Sequence, residues 1–544
     1  MTPDPHPRQA TAVVGGRRTA DGLLMGLLGG LVAVGTFALF WLAAPSVLHY
    51  STWDIWFESD PPAAVRQMLD RLNFSHRRTS HHPLISIALY GPVRLLCSIG
   101  FSDTVAVGLF LAAVAAAWTV TFFAAARRLG LVAFDAVVMT VLASVTASVV
   151  FWYPVPESFA LGALSLAFAV WVAASAGSAG QIGTSRLLAA TVATLSFTST
   201  NVSAGLALLV TTRPLTRAVL LAVASGMLVM GAWWAQSWIF PTAVSPLTLS
   251  TPAETNYVFN AEAGRLWQKA MVVVSHAIVM PDISVPYGFR LSVQRAWPGQ
   301  GHVQTVAAAA IWAGLLMLGV AAAIRQRHRP AVRMLGLAIA AQVAVSLVFG
   351  VETFMYTAHV GPLLVMLAAL ACLSPWRRIA RVLALLLIPL AGFANVRAFV
   401  AAVGFLDRTY AEEETFTRAL ATLTDEDQLI ICGREAAAAT GERSDRDGIL
   451  GSPPVAVSSA ADPDSCSFDF GDLAVRRQGW LIPYEVWSVD AIDQLRQRGA
   501  RYFVTPYAWG IDQAGPLFDI LDRRYRRVVR SPTLAVYDLA APGS

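Results

Sequence analysis

Lysine is almost missing from this chain: Lys269 is its only one, and nearly all of its positive charge is arginine. Charge of either sign is scarce, with 14% Asp, Glu, Lys and Arg against about 25% in an ordinary soluble domain. The net charge of +5 is therefore no nucleic-acid footprint, because the arginines gather in short gaps between apolar runs. Only four cysteines occur. Cys97 and Cys372 lie in apolar stretches as packing residues, while Cys432 and Cys466 lie near the C-terminus, where a disulfide is allowed if that region faces an oxidising compartment. The C-terminal region shows no Gly-rich phosphate loop, no metal-spaced Cys/His set and no nucleophile elbow.

What fills the chain is hydrocarbon: 56% of its 544 residues are hydrophobic and mean hydropathy is +0.55. Apolar runs of about 20 residues, the length of helix that crosses a ~30 Å hydrocarbon layer, recur from 22 to 400. Clear spans are 22–44, 104–125, 131–152, 157–176, 216–240, 303–324, 331–350, 358–374 and 378–400. Residues 84–99 are short and hold Gly91, Pro92 and Arg94, and 186–212 are interrupted at Thr198-Ser199-Thr200-Asn201. Clusters at Arg127–Arg128, Arg213–Arg217, Arg325–Arg333 and Arg377–Arg381 all face the cytoplasm if 84–99 stays on one side and 186–212 crosses twice as half-helices. That scheme gives about 11 crossings. If 84–99 crosses instead and 186–212 crosses once, Arg127 and Arg128 fall outside.

The expected organisation is a cytoplasmic tail 1–21, a membrane domain 22–403 and a soluble domain 404–544 outside the cytoplasm. The membrane domain has a first outer loop 45–103 and a long outer loop 241–302. The run 23–42 outlasts a cleaved signal's 7–15-residue apolar core and reads as a first helix with its N-terminus inside. Residues 405–544 read as α/β. They comprise a helix 410–423, strand Gln428–Cys432, helix 490–498, strand Tyr502–Thr505, helix 515–523 and a terminal hairpin of Tyr525–Arg530 with Leu534–Tyr537.

The first outer loop concentrates the charge that the rest of the chain avoids. It runs Trp53-Asp54-Ile55-Trp56-Phe57-Glu58-Ser59-Asp60-Pro61-Pro62, then a helix, then Arg77-Arg78-Thr79-Ser80-His81-His82-Pro83-Leu84. Val65, Met68, Leu69 and Leu72 fall at i, i+3, i+4 and i+7, one apolar stripe suited to an interfacial helix. Ionisable groups at a membrane surface face a cavity or a partner by default. A carboxylate there can deprotonate a sugar hydroxyl, the planar fork of Arg77 or Arg78 can grip a phosphate, and His82 can orient either. Plainer roles compete. Asp60 before Pro61-Pro62 is a good N-cap, Arg77 and Arg78 suit lipid headgroups, and His81-His82-Pro83 suits a helix start. Further candidates are Glu157, also a helix first-turn acid, Asn201 at the break, and Glu352, Tyr356 and His359 around an outer turn. Asp135 reads as an isolated local acid.

At Glu58-Ser59-Asp60, His82-Pro83-Leu84 and Tyr153-Pro154-Val155-Pro156-Glu157-Ser158 the chain resembles the GT-C superfamily of membrane glycosyltransferases. It shares with them an acidic first outer loop, a His-Pro element before an apolar helix, and a C-terminal outer α/β domain. The likeness covers most of the chain in plan and about 40 residues in motif. It implies a bacterial cell-envelope transferase in the inner (plasma) membrane. Such an enzyme would move sugar from a polyprenyl-phosphate donor to a glycan or lipid acceptor. By match Asp60 would be the catalytic base, with Glu58 and His82 beside it. Arg77, Arg78, His81, Glu157, Asn201, Glu352 and His359 would serve the substrate or the lipid phosphate. No metal-binding residues are assigned, although a divalent metal is compatible with the resemblance. Glu-Ser-Asp in place of Asp-Glu, and His-Pro-Leu in place of His-Pro-Pro, leave the subfamily open. Two other classes fit the membrane plan: a transporter or flippase for a lipid-linked glycan, and a non-catalytic glycan-binding scaffold.

Overall fold

In the computed structural model the described residues are 7–48, 56–176, 182–248, 258–259, 264–285, 291–298, 300–423, 429–434, 464–470, 473–483, 488–506, 511–530 and 534–542. Trp53, Asp54 and Ile55, and the side chains of Cys432 and Cys466, lie outside them. The chain divides into two compact units. The first is Met1–Leu249, Tyr257–Ser284 and Ser292–Val403, and the second is built mainly from Gly404–Ser544.

The first unit is helical throughout. Its elements are α1 (Pro7–Val47), α2 (Pro61–Leu69), a 3₁₀ turn (Phe74–Ser80), α3 (Ile85–Ser98), α4 (Asp103–Leu129), α5 (Ala133–Ser144), α6 (Ala147–Trp152), α7 (Phe159–Ala174), α8 (Thr184–Phe197), α9 (Val202–Thr212), α10 (Leu215–Ser237), α11 (Leu266–Met271), α12 (Val303–Arg325), α13 (Pro330–Val348), α14 (Thr357–Ala369) and α15 (Arg377–Leu423), whose residues from Gly404 onward are counted in the second unit. Among the described residues seven helices are long and apolar enough to cross a membrane: Thr19–Val47, Asp103–Leu129, Leu215–Ser237, Val303–Arg325, Pro330–Val348, Thr353–Leu373 and Arg377–Thr409. Helices α3, α5 and α7 are apolar but shorter. Exposed leucines and valines along α1, α10 and α12 are what a lipid-facing surface requires, since a helix apolar all round needs no polar side.

Four features depart from the linear reading. First, the expected span 131–152 is broken at Val145-Thr146. There Ala147 and Ser148 donate their backbone N–H groups to Ile278 and Ala277 (3.0 and 2.9 Å). Asn395 donates to Val145 and Ile278 and accepts from the Met280 N–H. Second, part of the expected outer loop 241–302 is core, because Val272, Val273, His276, Ala277, Ile278, Val279 and Met280 are all buried. Its apolar stretch is too short to read as a span, yet it supplies the carbonyls that satisfy the broken helix. Third, the expected helix 410–423 is no separate element but the far end of α15. Fourth, Asp135 is not isolated. It is 1% exposed and holds Arg377 (2.6 Å) and Arg381 (2.8 Å), so two arginines of the charged gap at 377–381 pin the start of α15 to α5.

The interrupted stretch 186–212 forms two short helices, α8 and α9, packed face to face. A Cβ on Gly205 would lie 2.5 Å from Thr194 Oγ1 and 3.1 Å from the Thr191 Cα. Glycine there lets the two backbones close up. The turn joining them, 198–201, is the polar interruption seen in the sequence.

The second unit carries a six-stranded sheet in the order β2-β3-β1-β4-β6-β5. Its strands are β1 (Ile430–Arg434), β2 (Asp464–Phe470), β3 (Leu473–Pro483), β4 (Tyr502–Pro506), β5 (Tyr525–Arg530) and β6 (Leu534–Pro542), with helices α16 (Val489–Gln497) and α17 (Ile511–Arg524). β1 lies parallel to β3 and β4, while β5 and β6 form the antiparallel hairpin that their sequence suggests. Ile492, Leu495, Leu517, Phe518 and Leu521 of the two helices pack on Ile431, Phe503 and Tyr537 of the sheet. β2 and β3 are absent from the sequence reading, because Leu473–Pro483 carries two arginines and a glycine within one strand and shows no clean alternation.

Candidate functional site

Everything expected of the first outer loop begins at one tight turn. Trp56 and Ser59 form an isolated antiparallel bridge, and between them Phe57 and Glu58 hold left-handed backbone angles, φ 51° and 61°. Two consecutive non-glycine residues in that region cost of order 1–3 kcal/mol each, so surrounding packing must hold them. That packing is aromatic. Trp56 and Phe57 are fully buried among Phe151, Trp152, Phe354 and Phe399, with ring centroids 5.0–6.1 Å apart. The turn thereby throws Glu58 and Asp60 into two different polar clusters.

Asp60 caps α2. Its Oδ1 accepts from the Ala63 N–H at 3.1 Å, as Asp before Pro-Pro should. Its own backbone N–H donates to Glu157 Oε1 at 3.3 Å, across 97 residues of sequence. Glu157 is 3% exposed. Its other oxygen accepts from the Ser158 N–H at 3.1 Å and from Arg78 Nη2 in an ion pair. Glu157 thus lies two residues ahead of α7, not in its first turn, and binds Arg78 and the Asp60 backbone together. Neighbouring Arg77 lies over the Phe74 ring at 4.6 Å.

Glu58 serves the second cluster. Its Oε2 accepts from the Glu352 N–H at 2.7 Å. Glu352, itself 3% exposed, accepts from Ser292 Oγ and from the Phe354 N–H. Lys269 is 2% exposed and donates to the Gly350 carbonyl at 2.9 Å. Burial lowers its pKa, and the Glu58 charge opposes that fall. The chain's one lysine thus lies beside its first acidic motif. No sequence signal joins the two, because Lys269 is in the segment that reads as an outer loop. Tyr356 packs at Gly350, whose φ is 87°.

His82 sits where the first loop meets the α8–α9 turn. The Leu84 N–H donates to Ser196 O and the Ser199 N–H donates to His81 O, both at 2.9 Å. The His82 ring donates from Nδ1 to Phe197 O at 2.6 Å, which leaves the lone pair on Nε2. Thr198 Oγ1 stands 3.4 Å from the same Nδ1. Behind it, a Cβ on Gly162 would fall 2.3 Å from His359 Nε2 and 3.1 Å from Thr198 Oγ1. Asn201 donates to Gly162 O and accepts from Gln342, both at 3.1 Å. The polar interruption at 198–201 therefore holds the His-Pro loop in place, with Asn201 fully buried. His81 itself is exposed.

Loss of surrounding water, then the Arg78 charge, lowers the His82 pKa from its ordinary 6.5 to about 3. A native pKa below the unfolded value means the unfolded chain takes up a proton first. The stabilising effect of neutral His82 is complete above pH 6.5 and is lost as pH falls from 6.5 toward 3. Thermal unfolding of the purified chain at pH 7, 6, 5 and 4 is expected to show stability dropping by at most about 1.4 kcal/mol per pH unit from this group. His82→Gln, which keeps a donor for Phe197 O, is expected to make that acid slope shallower. An unchanged slope would place the titrating group elsewhere.

Among the described residues no group of three or more His, Cys, Asp or Glu side chains is placed to hold a metal ion. The structure thus joins Asp60, Glu157 and Arg78 by direct hydrogen bonds, and Glu58 with Glu352. His82, Thr198, Asn201 and His359 gather around Gly162.

No family model matches this chain, and no curated protein matches it. Among solved structures it is similar to ArnT from Cupriavidus metallidurans bound to undecaprenyl phosphate, with a TM-score of 0.53 and 13% identity over 94% of this chain and 97% of that one. The apo state of the same ArnT gives 0.49 at 13% identity, over 94% and 99%. The fold of this chain is therefore GT-C-like: a polytopic helical membrane protein with a C-terminal α/β unit.

Proposed function

We propose that this protein is an integral membrane glycosyltransferase. It transfers a sugar from a polyprenyl-phosphate donor to an acceptor on the extracytoplasmic side of the inner membrane, within the cell envelope. The observation that carries the reading is the hydrogen-bonded union of the Asp60 backbone, Glu157 and Arg78, which ties Arg78 to the turn that carries the Asp60 carboxylate in a chain poor in acidic residues. The fold likeness to a protein crystallised with undecaprenyl phosphate supports a lipid-linked donor of that kind.

In this reading the acceptor hydroxyl gives its proton to Asp60 as its oxygen attacks the anomeric carbon. The bond from that carbon to the lipid phosphate breaks, and polyprenyl phosphate leaves with the electron pair. Arg78 meets the negative charge that develops on the leaving phosphate, and Glu157 holds Arg78 and the Asp60 backbone in register. The Nε2 lone pair of His82 orients a donor or acceptor hydroxyl. Arg77 and His81, next to Arg78 and His82 in the same loop, serve the lipid phosphate, while Glu58, Glu352, Asn201 and His359 hold the surrounding loops. The N-terminus lies in the cytoplasm and residues 404–544 lie outside it, an orientation that the arginine-rich gaps support.

The transporter reading rests on the broken helix at Asn201. Its polar groups are spent on the His82 loop, Gly162 and Gln342, which favours a supporting role over a transport path. Purified full-length protein in liposomes, given a panel of labelled undecaprenyl-phosphate sugars and envelope glycolipids, is expected to yield glycosylated acceptor and free undecaprenyl phosphate in equal amounts. Movement of labelled donor between leaflets with no covalent product would overturn the transferase reading in favour of transport.

A further inference from the structure

A charged groove lies within the first unit, built from Met280, Asp282, His302, Gln304, Phe393 and Arg397, with a volume of about 290 Å³ including its open mouth. Asp282, His302, Gln304 and Arg397 are exposed. Among the described residues none of these four side chains has a hydrogen bond or ion pair, and Asp282 and Arg397 are not joined to each other although they line one groove. The two charges therefore stand apart with space between them. Asp282 is held in place by contact: a Cβ on Gly301, whose φ is 107°, would lie 2.0–2.3 Å from its carboxylate. The groove's wall is apolar toward the side of Phe393, which is 61% exposed.

Arg397 is about 20 residues along α15 from Arg377, roughly 30 Å of helix, which is the thickness of the hydrocarbon layer. Arg377, Arg378 and Arg381 mark one face of the membrane, so Arg397 and the groove fall at the opposite lipid–water interface. We propose that this groove binds the headgroup of a zwitterionic phospholipid bearing a primary ammonium, of the phosphatidylethanolamine type. Arg397 and Gln304 take the phosphate, Asp282 takes the ammonium, and Phe393 lies along the upper acyl chain. A choline headgroup has no N–H to give Asp282, and an anionic glycerol headgroup would bring no cation to it. The separated, complementary charges select the ammonium lipid on chemistry alone, independently of any transferase activity.

The test uses full-length protein in detergent, titrated with phosphatidylethanolamine, phosphatidylcholine, phosphatidylglycerol or inorganic phosphate and read by native mass spectrometry. Phosphatidylethanolamine is expected to bind about tenfold more tightly than either other lipid, which corresponds to ~1.4 kcal/mol. Asp282→Asn is expected to abolish that preference while leaving phosphatidylglycerol unchanged, and Arg397→Gln to weaken all three lipids about tenfold. Both residues are exposed, so both variants should fold, and unaltered thermal unfolding checks this. Equal retention of the three lipids, insensitivity to either substitution, or displacement of lipid by millimolar phosphate would each overturn the proposal, the last by revealing a soluble-anion site.

Discussion

Asp60→Asn is expected to reduce sugar transfer about a thousandfold while leaving the fold intact, within the range of 10²–10⁴ for loss of a general base. The substitution is informative because the proposed mechanism adds a second, separable job to the one that the structure shows for Asp60. Its Oδ1 caps α2 through the Ala63 N–H, and asparagine caps a helix about as well as aspartate. Its negative charge is the part that could accept a proton, and asparagine lacks it. Asp60→Ala removes both, so it should lose activity to the same degree and also about 1 kcal/mol of stability. Activity measured on undecaprenyl-phosphate sugars in liposomes, beside thermal unfolding of each variant, separates the two jobs. Transfer within a few-fold of the parent for Asp60→Asn would leave Asp60 a helix cap only, whatever the fold.

Glu157→Gln is expected to lower transfer about a hundredfold through a different route. Glu157 touches no reacting atom in the proposed mechanism. It positions, by holding Arg78 on one oxygen and the Asp60 and Ser158 backbone amides on its two oxygens. Removing the charge takes the Glu157 carboxylate away from the Arg78 guanidinium, which is 23% exposed. Breaking a buried pair costs ~3–5 kcal/mol, and partial exposure of Arg78 should bring the stability loss nearer ~2 kcal/mol. The diagnostic readout is the partition of the loss. Slackening Arg78 should raise KM for the lipid donor as well as lower kcat, whereas general destabilisation would lower the active fraction at unchanged KM. The double variant Arg78→Gln with Glu157→Gln should cost less than the sum of the singles, because the two side chains act as one unit. Strict additivity would mean that their contact matters little to the reaction.

Much of this protein is legible in its amino-acid sequence. Apolar runs longer than a bilayer, with arginine concentrated at their ends and in the gaps between them, determine a polytopic helical membrane protein, since no other helix-forming arrangement satisfies backbone groups in lipid. The break at 198–201 is visible because four polar residues interrupt an apolar stretch. Asp60 and the Arg78–His82 segment stand out because charge is rare in this chain. The β5–β6 hairpin is visible in local pattern.

Tertiary structure alone decides the pairings. Glu157 is a candidate on local grounds, as a helix-start acid, and nothing near it in sequence points to Asp60 or Arg78. Glu58 and Lys269 are brought together only because a segment that reads as an outer loop folds into the helical core and ties off the broken helix at Thr146. Asp135 looks solitary until α15 brings Arg377 and Arg381 to it. Sequence records what each residue prefers locally, through hydropathy, periodicity and capping. A site made of residues about a hundred positions apart depends on which helices pack against which, and that is set by the summed packing of the whole bundle.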